Sequence, residues 1–322
     1  MIIANRWLIS VGAVAATWVL GALAQEYPTK PIHIMVPYET GGTSDLTIRA
    51  IQPRLAAILG QPVLIENRPG AGGLTGTEIV AKAAPDGYTV LNTFDSFIAV
   101  PFLYSNVQHD PVKDFSPVSL MVKAPQVLVV HPGLGPRNLE EFLQLARRRG
   151  PDLTISTAGP GSSSRLTVEM FRGIARIDPT LVSYKGGGPA LSAVLGGHVA
   201  GFMASIGTAF SNVKSGKLVA LAVSSTLRTP LLPEVPTFAE TFPGYEAQSW
   251  VGLVVPAGTP NSIVLRLNAA VFRALTEPES KQRFESQGME VVASTPQEYA
   301  DWIRDQVQKW GPIIRSLKIR LD

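Results

Sequence analysis

Short β-branched runs alternate with helical patterns along most of this chain, and this alternation constrains the fold more than any other feature. It is typical of α/β layering around a mainly parallel sheet. The chain has 322 residues, and because a domain usually takes roughly 100–200 residues, we expect two domains. The predicted strands span residues 32–36, 63–66, 88–91, 127–130, 153–156, 181–184, 199–203, 218–223 and 251–255.

Three segments show the spacing of amphipathic helices. Pro53 lies inside the first and is expected to kink it. Asn138 and Glu141 predict a capping box that starts the second, which should end at Gly150. Thr295 predicts the start of the third. The apolar faces consist of Ile48, Ile51, Leu55, Ile58 and Leu59, then Leu139, Phe142, Leu143 and Ala146, and finally Tyr299, Trp302, Ile303, Trp310, Ile313, Ile314 and Leu317.

Residues 1–24 have the pattern of a signal peptide. Arg6 is their only charge, an apolar run follows, and Ala22 and Ala24 provide the small residues that a signal peptidase recognises. We expect cleavage after Ala24, export to the periplasm and no stable membrane insertion of the mature chain. The alternative is an uncleaved anchor, since an apolar run of about 17 residues reaches the lower limit for spanning a bilayer.

Composition excludes several classes of protein. The formal net charge is only +3 and the basic residues are scattered, so a nucleic-acid-binding surface is not expected. The chain has no cysteine, which excludes disulfides, thiolate metal sites and thiol nucleophiles. The four histidines show no ligand spacing, and neither a metal site nor a cofactor is predicted.

The loop after the first predicted strand is a candidate anion site. Its glycines allow backbone N–H groups to turn inward, and the following helix contributes the positive end of its dipole. A simple turn with Ser44 or Asp45 as helix N-cap is the alternative. The candidate ligand-binding residues here are Tyr38, Thr40, Gly41, Gly42, Thr43 and Asp45.

A second loop of the same kind follows strand 153–156 and contains three consecutive serines. Their hydroxyl and N–H groups can bind a carboxylate without a cation nearby, and two such loops in two halves suggest one ligand between them. A serine-rich N-cap is the alternative. Its candidates are Ser156, Thr157, Ala158, Gly161, Ser162, Ser163 and Ser164. Lys185, in a third loop, could steer an anion or simply be solvated.

Sequence patterns of enzymes are incomplete. Residues 203–207 lack the leading glycine of a nucleophile elbow, and residues 70–75 lack the last glycine of a dinucleotide fingerprint. An exported hydrolase with Ser205 or Ser162 as nucleophile and His198 as base is an alternative that no spacing supports. We therefore predict no catalytic residues and a binding protein rather than an enzyme.

Three strings then point to a known family: ENRPGAGG at 66–73, APDGYT at 84–89 and PAGTP at 256–260. In this order and spacing they resemble the Bug family, the periplasmic solute receptors of tripartite tricarboxylate transporters. The resemblance extends from Tyr27 nearly to the end of the chain. It implies an α/β, type II periplasmic-binding-protein clamshell, with two lobes joined by two crossovers. Lobe 1 would hold residues 25–122 and 250–322, and lobe 2 residues 123–249.

The resemblance also implies a small organic acid or an amino acid in the interlobe cleft, bound by the two loops. Large and small membrane transporter subunits are the expected partners, and a monomer is expected; a signalling partner in place of the transporter is an alternative. Ala200 and Ala204, the latter beside Ser205, stand where relatives often carry acidic residues, one of which can meet a ligand amine. Their absence here argues against an amino acid. Asp95, next to Ser96, could instead meet a ligand amine or cap a helix. Phe94 and Phe97 suggest an aromatic acid.

Overall fold

The computed structural model describes residues 27–159, 162–184 and 186–316. The strands are β1 Ile32–Val36, β2 Val63–Asn67, β3 Thr89–Thr93, β4 Phe115–Val130, β5 Thr154–Thr157, β6 Thr180–Ser183, β7 Gly201–Ser205, β8 Val219–Val223, β9 Gln248–Pro256 and β10 Glu290–Val291. The helices are α1 Thr43–Leu59, α2 Leu74–Ala81, α3 Ser96–Leu103, α4 Leu139–Arg149, α5 Ser163–Ala175, α6 Gly187–Leu195, α7 Ile206–Lys214, α8 Phe238–Thr241, α9 Asn261–Thr276, α10 Pro278–Ser286 and α11 Pro296–Ser316.

One curled sheet connects two α/β halves, in the order β2-β1-β3-β9-β4-β7-β5-β6, with β8 and β10 also paired to β4. The central strand β4 is 16 residues long. Its first part pairs with β9 up to Pro125, and from Gln126 onward it pairs with β7. The chain therefore passes between the halves along β4 and again where β9 begins, as a clamshell with two crossovers requires.

The sheet is not mainly parallel, which corrects the expectation from sequence. Among the described residues, five of the nine strand pairings are antiparallel. The antiparallel pairs all involve β4 or β9, the strands that link the halves. Within each half the outer strands stay parallel and are joined by helical crossovers, which explains why the alternation of strands and helices is so regular.

The sequence missed the first part of β4. Only residues 127–130 were expected to form a strand, whereas the strand begins at Phe115. Pro117 lies inside this stretch, and the register shifts beside it and again between Leu120 and Val122. Such bulges accommodate the missing N–H of a proline, and they interrupt the alternation that would reveal a strand.

The predicted helix starts are confirmed. The Asn138 side chain accepts a hydrogen bond from the Glu141 backbone N–H at the start of α4, and the helix ends before Gly150. Thr295 and Glu298 cap α11 reciprocally through backbone N–H groups. Helix α1 continues without interruption through Pro53, which is exposed. The expected apolar faces are largely buried, and Leu317 lies outside the described residues.

Candidate functional site

A cleft of about 460 Å³ lies between the two halves of the molecule. Loops after β1 and β3, with helix α3, form one wall, and the serine-rich loop after β5 forms the other. The ends of strands and the beginnings of helices are where open α/β folds hold ligands. The lining residues are Tyr38, Gly72, Phe94, Ser96, Val100, Leu103, Tyr104, Ala158, Gly159, Ser162 and Ser163.

Tyr38 and Ser96 form the polar part of the first wall. Their hydroxyl oxygens are 2.8 Å apart, and the Tyr38 ring meets Phe94 edge to face with centroids 5.8 Å apart. Burial raises the pKa of Tyr38, with a hydrogen bond from Ser96 acting in the opposite direction. The phenol is therefore neutral at ordinary pH and can donate a hydrogen bond to a ligand.

The glycine-rich turn before α2 supports Tyr38 from behind. Gly73 adopts φ +102°, and a Cβ there would lie 3.0 Å from the Tyr38 ring. Its neighbour Gly72, also in the left-handed region, lines the cleft itself. Glycine is needed because it tolerates this backbone and the close approach of the ring. The sequence showed this turn as an incomplete dinucleotide fingerprint and as part of a family string, and did not place it at the site.

In the second wall, serine side chains fix the loop that precedes α5. Ser162 accepts from the Arg165 backbone N–H and donates to the Gly159 carbonyl. Ser164 is buried and accepts from the Ala158 backbone N–H at 2.8 Å. These hydrogen bonds hold the loop against the start of α5, much as the alternative of a serine-rich N-cap predicts. Ser162 also lines the cleft.

Ser163 links the second wall to the hinge. Its hydroxyl accepts a hydrogen bond from Ser249 at the start of β9, with 2.8 Å between the oxygens. Ser163 is the first residue of α5 and Ser96 is the first residue of α3. Both line the cleft, so the positive ends of two helices face it from opposite walls.

Asp95 lies directly beneath the polar part of the cleft. It is only 7% exposed, and its Oδ1 accepts a hydrogen bond from the Trp250 backbone N–H at 3.1 Å. Burial raises the pKa of Asp95 to about 7, although the neighbouring Ser163 and Ser249 hydroxyl groups and the Trp250 N–H act to lower it. Its Oδ2 is buried without a hydrogen-bond partner in the described parts of the chain. A small cavity of about 10 Å³ adjoins Asp95 and Ser163.

Asp45 organises the first loop from inside. Its fully buried carboxylate accepts hydrogen bonds from the Gly41 backbone N–H, from Arg49 and from Asn67. Asn67 also donates to the Tyr38 carbonyl. Burial acts to raise the pKa of Asp45, but these donors outweigh it and the pKa is lowered. Asp45 therefore shapes the cleft indirectly, by holding the loop in place. The sequence did not reveal that Arg49 and Asn67 take part in this.

The remaining residues predicted from the sequence do not line the main cleft. Thr40, Gly41 and Gly42 lie exposed on the first loop. Thr43 and Ser205 line a separate cavity of about 240 Å³ beside the hinge. Ser156, Thr157 and Ala204 are fully buried in the sheet, where Ser156 donates to backbone carbonyls. Gly161 and Lys185 lie outside the described residues.

The hydroxyl groups named for a hydrolase have local partners. Ser205 Oγ lies 2.5 Å from Thr208 Oγ1, and Ser162 Oγ bonds within its own loop. His198 is exposed at the end of the turn after α6. Within residues 27–159, 162–184 and 186–316, no group of three or more potential metal ligands comes together, and no helix is both long and apolar enough to span a bilayer.

Sequence relatives cover almost the whole chain. Protein BugT of Bordetella pertussis is 34% identical over 322 residues, which is 98% of this chain and 99% of BugT. Relatives of this length and similarity confirm the resemblance to the Bug family that the three sequence strings indicated.

Solved structures support the same conclusion. MatC from Rhodopseudomonas palustris with bound malate is 33% identical, covers 89% of this chain and 100% of its own, and superposes with a TM-score of 0.78. Another R. palustris protein, solved with adipate, is 30% identical over 92% of this chain and 100% of its own, with a TM-score of 0.82. The two-lobed periplasmic-binding-protein fold expected from the sequence is confirmed.

Residues 47–319 match the tripartite tricarboxylate transporter family receptor. Receptors of this family bind solutes and are not enzymes, and they work in the periplasm with membrane transporter subunits. From its sequence, its fold and its cleft together, the chain belongs to the tripartite tricarboxylate transporter receptor family.

Proposed function

We propose that this receptor binds the carboxylate of a small organic acid in the cleft, between Tyr38 and Ser96 on one wall and Ser162 and Ser163 on the other. The observation that supports this most directly is that the first residues of α3 and α5 both line the cleft. Two helix N-termini and four hydroxyl groups then converge on one space. Malate in MatC and adipate in the second R. palustris structure are both carboxylates.

The chemistry of this set suits an anion better than a neutral ligand. A helix N-terminus presents N–H groups without intrahelical partners and the positive end of a dipole. Hydrogen bonds to an ionised group are roughly twice as strong as neutral ones. None of the residues described as lining the cleft is Lys or Arg, so the charge of the ligand would be balanced by these dipoles and hydroxyl groups.

Ligand binding would favour the closed arrangement of the lobes. The carboxylate would contact groups from both walls, whereas an open receptor offers only one wall at a time. A ligand shifts such an equilibrium by the difference between its affinities for the two states. The bond between Ser163 and Ser249 gives the second wall a fixed position relative to the hinge strand.

For its cellular context, we propose export with cleavage after Ala24, action as a monomer, and delivery of the ligand to one large and one small membrane subunit. The lobes would comprise residues 25–122 with 250–322, and 123–249. The change of partner along β4 between Pro125 and Gln126 supports the first boundary to within a few residues. Thr40, Gly41 and Gly42, which are exposed on the first loop, would act at the rim of the cleft. Lys185 would steer an anion, as the sequence predicts.

The test is calorimetric titration of the exported protein with acetate, benzoate, malate and adipate. At least one carboxylate should bind with a stoichiometry of one. Ser163→Ala should weaken that binding by about ten- to a hundredfold, because a hydrogen bond to a charged group contributes about 1.5–3 kcal/mol. Ser192→Ala, an exposed serine on α6, is the matched control and should bind as the wild type does.

Equal binding by the Ser163 and Ser192 variants would place the carboxylate elsewhere. A neutral amide such as benzamide that binds as tightly as benzoate would refute carboxylate recognition altogether.

A further inference from the structure

We infer that the ligand has a single carboxylate and an apolar, preferably aromatic, body. This inference rests on the proposed function and deepens it by naming the ligand class. It follows from how polar and apolar groups are distributed along helix α3, which forms the length of one wall of the cleft.

The polar groups gather at one end of the cleft. Ser96 begins α3, and its oxygen is 2.8 Å from that of Tyr38. Ser162 and Ser163 stand on the facing wall. A carboxylate bound here is held by hydroxyl and N–H donors on both sides. The other end of the ligand must then extend along α3, away from its N-terminus.

The far end of the cleft is apolar. Val100 and Leu103 follow Ser96 along the helix and are 3% and 1% exposed, and both line the cleft with Gly72. At 1.5 Å per residue, Leu103 lies roughly 10 Å beyond Ser96 along the axis. A second carboxylate at that distance would sit against aliphatic side chains and the negative end of the helix dipole, where it would lack compensating donors.

Two aromatic residues define the shape of the space between these ends. Phe94 packs edge to face on Tyr38 at 5.8 Å between centroids, and Tyr104 follows the last residue of α3. Both line the cleft. Offset and edge-to-face contacts with a flat ring add to the energy of burying its area. Among the residues described as lining the cleft, the Tyr104 hydroxyl is the one polar side-chain group at this end, and it brings no positive charge.

The carboxyl group of Asp95 lies at the polar end of the cleft, beneath the position of the bound carboxylate. It lies one residue before Ser96, and its Oδ1 is 3.1 Å from the Trp250 nitrogen. Burial favours the protonated form of Asp95, so one bound carboxylate meets a neutral carboxyl group, and the described lining includes no cation that would balance a further negative charge. The partial positive charges of the two helix N-termini can balance the negative charge of one carboxylate, but not the charge of two.

The experiment is a calorimetric comparison of four acids on the exported protein at one ionic strength. Benzoate and cyclohexanecarboxylate are the monocarboxylate probes, and malate and adipate are the dicarboxylate probes. Benzoate should bind at least about a hundredfold more tightly than malate or adipate, since an unpaired buried charge is strongly unfavourable. Cyclohexanecarboxylate should bind more weakly than benzoate if the aromatic walls select flat rings.

Variants of the two aromatic residues in the cleft, Phe94 and Tyr104, provide a second readout. Phe94→Ala should weaken benzoate binding by about tenfold, from lost ring contacts, while Phe94→Leu should retain part of it. Phe272→Ala is the matched control, because Phe272 is 48% exposed on α9 and does not line the cleft. Tyr104→Lys adds a cation at the apolar end and should improve adipate binding relative to benzoate.

Tighter binding of malate or adipate than of benzoate would overturn the inference and leave the proposed function intact. Failure of every carboxylate to bind would overturn both. Equal benzoate binding by the Phe94 and Phe272 variants would show that the ring lies elsewhere and would also refute the inference.

Discussion

Replacing Asp95 with Asn should remove a pH-dependent loss of stability that the buried carboxyl imposes on the folded protein. Burial raises the pKa of Asp95 from 3.8 to about 7. A folded state with the higher pKa binds the proton more tightly than the unfolded state does, so stability falls as the pH rises between these two values. The penalty is absent below pH 3.8 and complete above about pH 7.

Its size follows from the shift of about three pKa units. At about 1.4 kcal/mol per unit, the full penalty is about 4 kcal/mol above pH 7. At pH 5 only about one unit of the shift has taken effect, so the penalty there is roughly 1.5 kcal/mol. Between pH 5 and pH 8, the stability of Asp95→Asn relative to the wild type should therefore increase by about 3 kcal/mol.

Urea denaturation at pH 5, 6, 7 and 8 measures this difference directly. The asparagine can keep the acceptor role toward the Trp250 backbone N–H, so any constant offset between the two proteins cancels in the pH dependence. Asp305→Asn, at an exposed position on α11, serves as the control and should show a flat difference. A flat profile for Asp95→Asn, or a difference that shrinks as the pH rises, would refute the assignment.

Two further substitutions test how the first wall is built. Asp45→Ala should destabilise the protein by about 1–3 kcal/mol, because it leaves the Gly41 N–H and the half-buried donors of Arg49 and Asn67 without their acceptor; Asp301→Ala, at an exposed site, should cost far less in the same urea experiment. Gly73→Ala should weaken carboxylate binding by displacing the Tyr38 ring. Gly197→Ala has a similar positive φ and nothing within 4 Å of the added Cβ, so it should lower stability modestly and leave binding unchanged; equal binding by both variants would contradict the support role of Gly73.

Much of the fold followed from local sequence signals. All nine predicted strands overlap observed strands, the one at 127–130 matching only the end of β4, and Asn138 and Thr295 cap helices as expected. These features depend on residues within a few positions of one another. The antiparallel pairing of β4 depends on its neighbours β7, β8 and β9, which lie far away in the chain. Periodicity within one strand contains no information about the direction of its neighbours.

Site residues could be predicted from the sequence where they lie in a loop directly before a helix. Ser162 and Ser163 were found because serines before a helix are unusual in number and follow a strand. Ser249 was missed because it meets Ser163 from 86 residues away. Asp45 was proposed for the ligand, yet its carboxylate is occupied by Arg49 and Asn67. A sequence shows that a carboxylate stands near a glycine loop, but only the fold shows which way it faces.

The continuous β4 strand also has a consequence for how the molecule unfolds. It is an inner strand of both halves, with β9 on one side and β7 on the other. Neither half can complete its hydrogen-bonded ladder without this shared strand, so loss of β4 exposes both cores at once. The two lobes should therefore melt together in one cooperative transition, although a receptor that opens and closes moves them as separate bodies.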